Sequence, residues 1–247
     1  MSLPQALETY PYCFSNVLCL SGILLAVRLL PVASHRRLIL RLGLIMIPNG
    51  VFSLAHSDYW RDYWHPSRVG GWALGPEDML FAFNVGAMGC LAAVWLYRHK
   101  LIVAEQSAPS LGRLLAIGVP TQCAFLALFS MSRSGIAAAI LALLMAVVPR
   151  LLLRPDLWRL SAAGGIGFSL MYPGIIRAAF WIWPEFVFCW RSTPPWGLLL
   201  FGVPLGEVAW AISFGLFWPL FTGYVFDLRP STAQQVAGRI ALGSAAP

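Results

Sequence analysis

Seven apolar runs, each about 20 residues long, dominate the chain and restrict the fold that it can adopt. About 20 helical residues cross a hydrocarbon layer about 30 Å thick, and a helix satisfies its own backbone groups there. Charged residues make up only 11% of the 247 residues, which is too little polar surface for a soluble globule. The sequence therefore predicts an all-α polytopic membrane protein. We place the spans at residues 12–31, 38–56, 76–97, 111–131, 134–153, 160–182 and 204–226.

Basic residues indicate the orientation of the chain. Its 16 arginines and single lysine give a net charge of +7 and lie mainly in the first, third and fifth connections and in the tail. By the positive-inside rule we expect the N-terminus outside the cell membrane and the C-terminus in the cytoplasm, and we expect no nucleic-acid partner. The first run lacks the basic start of a signal peptide, so we expect it to be retained as a span.

Two of the predicted helices begin with carboxylates, and they belong to an internal repeat. A shift by the 129 positions between residues 78 and 207 also lays Phe81 on Trp210, Asn84 on Ser213 and Gly86 on Gly215. With seven spans the two acidic helices run in the same direction, so the repeats are parallel. We expect one membrane domain, 1–228, with repeats at about 38–98 and 160–227. Residues 229–247 are expected to form a disordered cytoplasmic tail.

Glu77, Asp78 and Glu207 are the first candidates for chemistry. Acids in a first helical turn complement the helix dipole, which contributes about 0.3 to 1 kcal/mol each without any function. An ionised acid inside the apolar layer costs several kcal/mol unless it is paired or protonated, and this favours a functional interpretation. Burial favours the protonated form of a carboxyl group, which is the form that general-acid catalysis requires.

Aromatic and polar residues near these acids are candidates for binding a substrate. Loops 58–72 and 181–196 hold seven of the eleven tryptophans, Trp72 among them, and we expect an interfacial belt that also covers a site. Phe81, Phe83 and Trp210 offer aromatic faces to a cation, although helix packing also explains each of them. Asn84 lies two turns after Glu77, which places it on the same helix face as that acid and makes it a further candidate.

Two further polar residues lie within predicted spans. Asn49 follows Pro48, so it either satisfies backbone groups at a proline kink or contributes to a site. Arg177 lies in the outer third of its span, where it either reaches toward the headgroups or pairs with Glu207 or Glu185.

The acidic stretches resemble a known family. Asp-Tyr-Trp followed by Gly-Pro-Glu-Asp-Met-Leu-Phe-Ala-Phe, and later Gly-Val-Pro-Leu-Gly-Glu, are similar to the repeated Pro-x-Glu-Glu/Asp motifs of membrane-integral lycopene cyclases, the bacterial heterodimeric and archaeal or fungal fused type. The resemblance implies a helical membrane enzyme that cyclises the ends of a linear carotenoid. Glu77 and Asp78 match the first acid pair, and Glu207 matches the second acid of the later motif.

The chain departs from the family pattern at three positions. Pro76 directly precedes Glu77, Gly206 stands where the first acid of the second motif is expected, and Asn49 stands where the family often carries Asp. The remaining acids still allow redox-neutral acid catalysis. In that mechanism Asp78 or Glu77 donates a proton to a terminal double bond, and Glu207 removes one after ring closure.

Alternative functions remain open at this level. If water attacked the carbocation that forms when the terminal double bond is protonated, the chain would be a carotenoid hydratase. If the acids have only a structural role, the chain would be a pigment- or lipid-binding protein. A proton-coupled transporter is a third alternative, but seven short helices leave little material for a substrate path. We expect no cofactor and no metal, since no phosphate loop, dinucleotide motif or histidine pair at metal spacing is present. The expected partners are an isoprenoid substrate and the lipid bilayer, with the chain acting alone or as a homo-oligomer.

Overall fold

The computed structural model describes residues 3–56, 63–72, 74–97, 101–102, 109–132, 134–190 and 195–230. Six of its helices are long and apolar enough to cross a membrane, and the predicted all-α polytopic membrane fold is thereby confirmed. The predicted second span, 38–56, lies within α3, and the total of seven spans stays a prediction. The helices are α1 Leu3–Thr9, α2 Pro11–Leu29, α3 Ala33–His56, α4 Pro76–Tyr97, α5 Leu111–Ser132, α6 Gly135–Leu153, α7 Trp158–Ile182 and α8 Leu205–Val225.

Short elements connect the helices. Three 3₁₀ turns span Val69–Gly71, Pro155–Leu157 and Pro184–Cys189. Strands β2 (Leu199–Leu200) and β3 (Val203–Pro204) form a hairpin directly before α8. Strand β1 (Leu101–Ile102) pairs with β4 (Arg229–Pro230), so the first two residues of the predicted tail are ordered. The rest of that tail, 231–247, lies outside the described residues.

The start of α4 follows from its sequence. Pro76 occupies the first helical position, where its missing N–H breaks no hydrogen bond. The carboxylate of Asp78 accepts a 2.8 Å hydrogen bond from the N–H of Gly75, three residues earlier. The N–H of Asp78 donates in return to the Gly75 carbonyl at 3.1 Å. The acid thus accepts from the residue before the helix, as the acid of a capping box does, and the two bonds fix the first turn.

Helices α4 and α8 form the centre of the bundle. Both are largely buried, whereas most of α5 faces outward. Helix α4 packs against α2, α3 and α7, and α8 packs against α6 and α7. The two central helices also contact each other, since the indole N–H of Trp218 donates to the Gly86 carbonyl at 2.8 Å. A site between α4 and α8 is therefore surrounded by protein.

Charged residues cluster at the end of the bundle where α8 finishes. Arg154 donates to Asp156 at 2.7 Å and to Asp227 at 3.3 Å. Arg113 lies 3.8 Å from Asp227, and Arg229 lies 3.1 Å from the same carboxylate. These pairs are partly exposed, and they mark this end as the polar, basic end of the bundle.

Candidate functional site

The first turns of α4 and α8 lie at the same end of the bundle, beneath two loop segments that pair with each other. Trp64 and Trp190 form an antiparallel bridge, with ring centroids 6.1 Å apart. The N–H of His65 donates to the carbonyl of Cys189 at 2.7 Å. Residues 58–62 and 191–194 of the aromatic loops lie outside the described residues. The parts that are described bring both loops together over the acidic turns.

Asp78 is fully buried and takes part in an ion pair. Its oxygens accept bonds of 2.8 and 3.2 Å from Nε and Nη2 of Arg68, whose side chain is only 7% exposed. The hydroxyl of Tyr12 donates to the same carboxylate at 3.1 Å. Arg68 also lies over the ring of Trp64, with 5.7 Å to its centroid. A bidentate arginine stabilises the ionised carboxylate, so Asp78 is poorly suited to donate a proton.

Glu77 is also buried, but its contacts differ from those of Asp78. One oxygen accepts a 2.7 Å hydrogen bond from the N–H of Val69. The other, Oε2, makes no hydrogen bond within the described residues. A Cβ at position 75 would lie 2.5 Å from Oε2. The Glu77 carboxyl therefore packs directly against the backbone at residue 75, which the missing side chain of Gly75 makes possible. Glu77 thus holds the loop against α4.

Glu207, in the first turn of α8, takes its hydrogen bonds from neutral donors. The hydroxyl of Tyr172 donates to Oε2 at 2.8 Å, and the indole N–H of Trp190 donates to Oε1 at 2.9 Å. Tyr63 lies nearby, and its pKa is raised well above the usual value, first by burial and then by the Glu207 charge. The carboxyl is 4% exposed. Glu207 is thus buried among aromatic hydrogen-bond donors.

Gly206 has a steric reason for standing where the family motif carries an acid. A Cβ at this position would collide with the hydroxyl of Tyr63 and would lie 3.0 Å from Ile136. The tyrosine therefore occupies the space that a larger residue at position 206 would need. A side chain at position 206 would require Tyr63 to move, whereas Glu207 is accommodated in this packing.

A cavity of about 220 Å³ lies between α4 and α8 and the helices around them. It is smaller than the roughly 300 to 1,000 Å³ of typical ligand pockets, so it suits one end of a long molecule. Among the described residues of its lining, Glu207 is the one that carries a charge. Aromatic side chains make up much of the wall, namely Tyr12, Trp64, Phe81, Phe125, Tyr172, Phe186, Trp190, Trp210, Phe214, Phe217, Trp218 and Phe221.

The structure brings five of the nine predicted site residues to this cavity. They are Asn49, Phe81, Asn84, Glu207 and Trp210. Trp210 stacks on Phe214 with ring centroids 5.1 Å apart. The Asn49 oxygen lies 3.5 Å from the amide nitrogen of Gln122, near the limit of a hydrogen bond.

The other four predicted residues lie outside the cavity lining. Glu77 and Asp78 are buried beside it, in contact with the first loop. Trp72 is 65% exposed. Arg177 is exposed. Its guanidinium packs against Gly202, 3.1 Å from the position that a Cβ on that glycine would take. The exposure of Arg177 agrees with the alternative in which it reaches toward the headgroups. In the other alternative it would pair with an acid such as Glu207, to which Tyr172 and Trp190 donate instead.

Four residues that contact the acids of the candidate site were not predicted from the sequence. Tyr12 and Tyr172 bind the two acids, Trp190 binds Glu207, and Arg68 pairs with Asp78. A signal was present for the tyrosines, because each is a polar side chain inside an apolar run. The signal for Arg68 was weaker, since it is a single cation ten positions before Asp78.

Comparisons with known proteins do not identify the chain. No protein-family model, curated protein or solved structure matches it. The similarity to lycopene cyclases therefore rests on the two short motifs alone.

Proposed function

We propose that this protein is an intramembrane enzyme that cyclises the ends of lycopene-type linear carotenoids by redox-neutral acid catalysis. One observation carries the proposal: Glu207 is a buried carboxyl in the wall of an aromatic cavity, and Tyr172 and Trp190 donate hydrogen bonds to it. An apolar cavity with one convergent acid suits a hydrocarbon end group and a proton transfer.

The chemistry needs only a proton that is given and taken back. Protonated Glu207 donates to a terminal double bond, which forms a C–H bond and leaves a tertiary cation. An internal double bond attacks that cation, forming the C–C bond of the ring and moving the positive charge to a ring carbon. The Glu207 carboxylate then removes a proton from a neighbouring carbon. The product is an isomer of the substrate, and the acid is regenerated.

The residues around Glu207 support each stage. Donors already in place at 2.8 and 2.9 Å stabilise the carboxylate that remains after proton transfer. The rings of Trp210 and Phe214 line the cavity and offer aromatic faces to the cation, each contributing on the order of 0.5 to 2 kcal/mol.

This assignment moves the proton donor away from the first motif. The sequence alone favoured Asp78 or Glu77 as donor, with Glu207 as acceptor. Arg68 stabilises the charge of Asp78, and neither Asp78 nor Glu77 lines the cavity. We therefore assign Asp78 a positioning role, in which it holds the Tyr12 hydroxyl at the cavity wall.

The proposal includes an orientation in the cell membrane. We place the N-terminus outside and the C-terminus in the cytoplasm, with the acidic turns at the outer side. The cluster of Arg113, Arg154 and Arg229 at the opposite end supports this under the positive-inside rule. Alkaline phosphatase fused after residue 230 is expected to be inactive, and a fluorescent protein fused there is expected to be bright. The reverse pattern would contradict the orientation.

The subunit composition follows from the motifs. Both acidic motifs lie in one chain, so we propose that it needs no second kind of subunit and acts alone or as a homo-oligomer.

Expression in a host that accumulates lycopene tests the activity. The expected product has the mass of lycopene with changed retention and absorption, because cyclisation moves no atoms in or out. A product heavier by one water would instead establish the hydratase. Unchanged lycopene that copurifies with the membrane protein would indicate a pigment-binding protein and would refute the enzyme.

A further inference from the structure

The cavity accommodates only one end of a long chain, so the rest of such a ligand has to leave it. Its volume is about 220 Å³, below that of typical ligand pockets. The paired loops that carry Trp64 and Trp190 cover the outer end of the bundle. The opposite end carries the charged cluster around Arg154, which a hydrocarbon would not cross. The exit for an apolar chain therefore runs sideways, between two helices.

The helices around the cavity are closely packed except on one side. Helix α2 contacts α3 and α7, and α8 packs against α6, which packs in turn against α5. Among the described residues no comparable packing joins α3 to α5, although both line the cavity. The amide nitrogen of Gln122 on α5 reaches the oxygen of Asn49 on α3 at 3.5 Å, near the limit of a hydrogen bond. A weak polar contact thus bridges a gap between these two helices.

Both helices are able to bend at the level of this amide pair. Pro48 lies inside α3 next to Asn49, and Pro120 lies inside α5 two residues before Gln122. A proline inside a helix removes a backbone hydrogen bond and permits a kink. The two walls of the gap can therefore move apart where a long and weak hydrogen bond holds them together.

The α5 wall of the gap is suited to an apolar chain. Gly118, Thr121 and Phe125 line the cavity at helical spacing. The hydroxyl of Thr121 donates to the Ile117 carbonyl at 2.8 Å, so its hydrogen bond is made within the helix. A Cβ at position 118 would meet nothing within 4 Å. The space beside Gly118 is therefore open to a hydrocarbon.

We propose that the gap between α3 and α5 is a lateral portal, through which a linear hydrocarbon chain extends from the cavity into the lipid. Asn49 and Gln122 lie near the middle of their predicted spans, so the gap opens to the hydrocarbon layer. The proposal deepens the proposed function and rests on it for the carotenoid nature of the chain. The passage of the chain does not depend on catalysis, so it can be tested without turnover.

The test places a side chain in the portal and compares a long probe with a short one. G118L fills the open space beside α5, and G118A fills it partly. G112L is the matched control, since a Cβ at position 112 of the same helix also meets nothing within 4 Å and Gly112 lies outside the cavity lining. The long probe is lycopene, and the short probe is an acyclic C10 terpene hydrocarbon that corresponds to one chain end. Binding in detergent is measured as the rise in unfolding temperature that each probe causes.

The wild type and G112L are expected to bind both probes. G118L is expected to bind lycopene at least about 10-fold more weakly, because the leucine occupies the path of the chain. It is expected to bind the short probe as the wild type does, which also shows that the variant is folded. G118A is expected to show a smaller loss for lycopene than G118L.

Unchanged binding of lycopene by G118L would show that the chain leaves the cavity elsewhere. Loss of both probes would place Gly118 in the interior of the cavity and not at its mouth. Either result overturns the portal, and in either case ring formation by the wild type would leave the proposed enzyme standing. A selective loss of lycopene binding in G118L, with a wild type that leaves lycopene unchanged in cells, would keep the portal and refute the enzyme. The two claims can therefore fail separately.

Discussion

Gly86 of α4 and Gly215 of α8 lie at helix crossings with the same local geometry. A Cβ at position 86 would lie 2.6 Å from the carbonyl oxygen of Leu42 and 3.2 Å from the Cα of Gly43. A Cβ at position 215 would lie 2.7 Å from the carbonyl oxygen of Gly164 and 3.1 Å from the Cα of Gly165. Each central helix thus crosses a helix of its own predicted repeat at a glycine, backbone against backbone.

This geometry predicts that G86A and G215A each destabilise the protein by about 1 to 3 kcal/mol, because the backbone that a methyl group would meet cannot yield easily. Unfolding in mixed detergent micelles measures the effect. The control is G174A, since a Cβ at position 174 of α7 meets nothing within 4 Å. That variant is expected to be neutral or slightly stabilising. Equal stability of all three variants would show that the crossings are looser than described.

The Arg68–Asp78 pair predicts a strong dependence of each partner on the other. R68M leaves a fully buried carboxylate without its cation, which is expected to cost about 3 to 5 kcal/mol of stability. In R68M/D78N the charge is gone, while an amide oxygen still accepts from Gly75 or Tyr12, so much of that loss is expected to be recovered. Unfolding of the single and double variants measures the coupling, and additive losses would contradict a coupled pair.

The hydrogen bonds to Glu207 predict a graded loss of activity. Y172F and W190F each remove one donor to the carboxylate and keep most of the aromatic wall, so each is expected to lower conversion about 10- to 100-fold. Initial rates of ring formation in isolated membranes measure this. Y224F is a suitable control, because Tyr224 lies at the opposite end of the bundle beside Arg113. A similar loss in Y224F would show that the effect is not specific to the site.

Much of the fold could be predicted from the sequence. The helix predicted at 76–97 has those bounds, and that predicted at 204–226 is observed as Leu205–Val225. Apolar run length determines such bounds, and proline and the acids mark the starts, so local information is sufficient. The two acidic helices also run in the same direction. The first turn of each contacts the paired loops, so both helices begin at the same end of the bundle.

The different surroundings of Asp78 and Glu207 could not be predicted from the sequence. Asp78 and Glu207 each begin a stripe at helical spacing, through Phe81 and Val85 in α4 and through Trp210 and Phe214 in α8. Spacing alone makes them equivalent. They differ through contacts with residues outside their own helices, because Arg68 and Tyr12 cover Asp78 while Glu207 remains in the cavity wall. Side chains from distant parts of the chain leave no periodic trace in the sequence.

The most direct test of the central claim compares E207Q with D78N in a host that accumulates lycopene. Ring formation is measured per amount of protein in the membrane, so that losses of stability are separated from losses of catalysis. We expect E207Q to lower conversion by at least about 100-fold, since the N–H of an amide is far too weakly acidic to protonate a double bond. D78N, which lies outside the cavity, is expected to retain activity within about 10-fold. Full conversion by E207Q, or abolished conversion by D78N with the protein still present, would contradict the assignment of Glu207 as the proton-transferring residue.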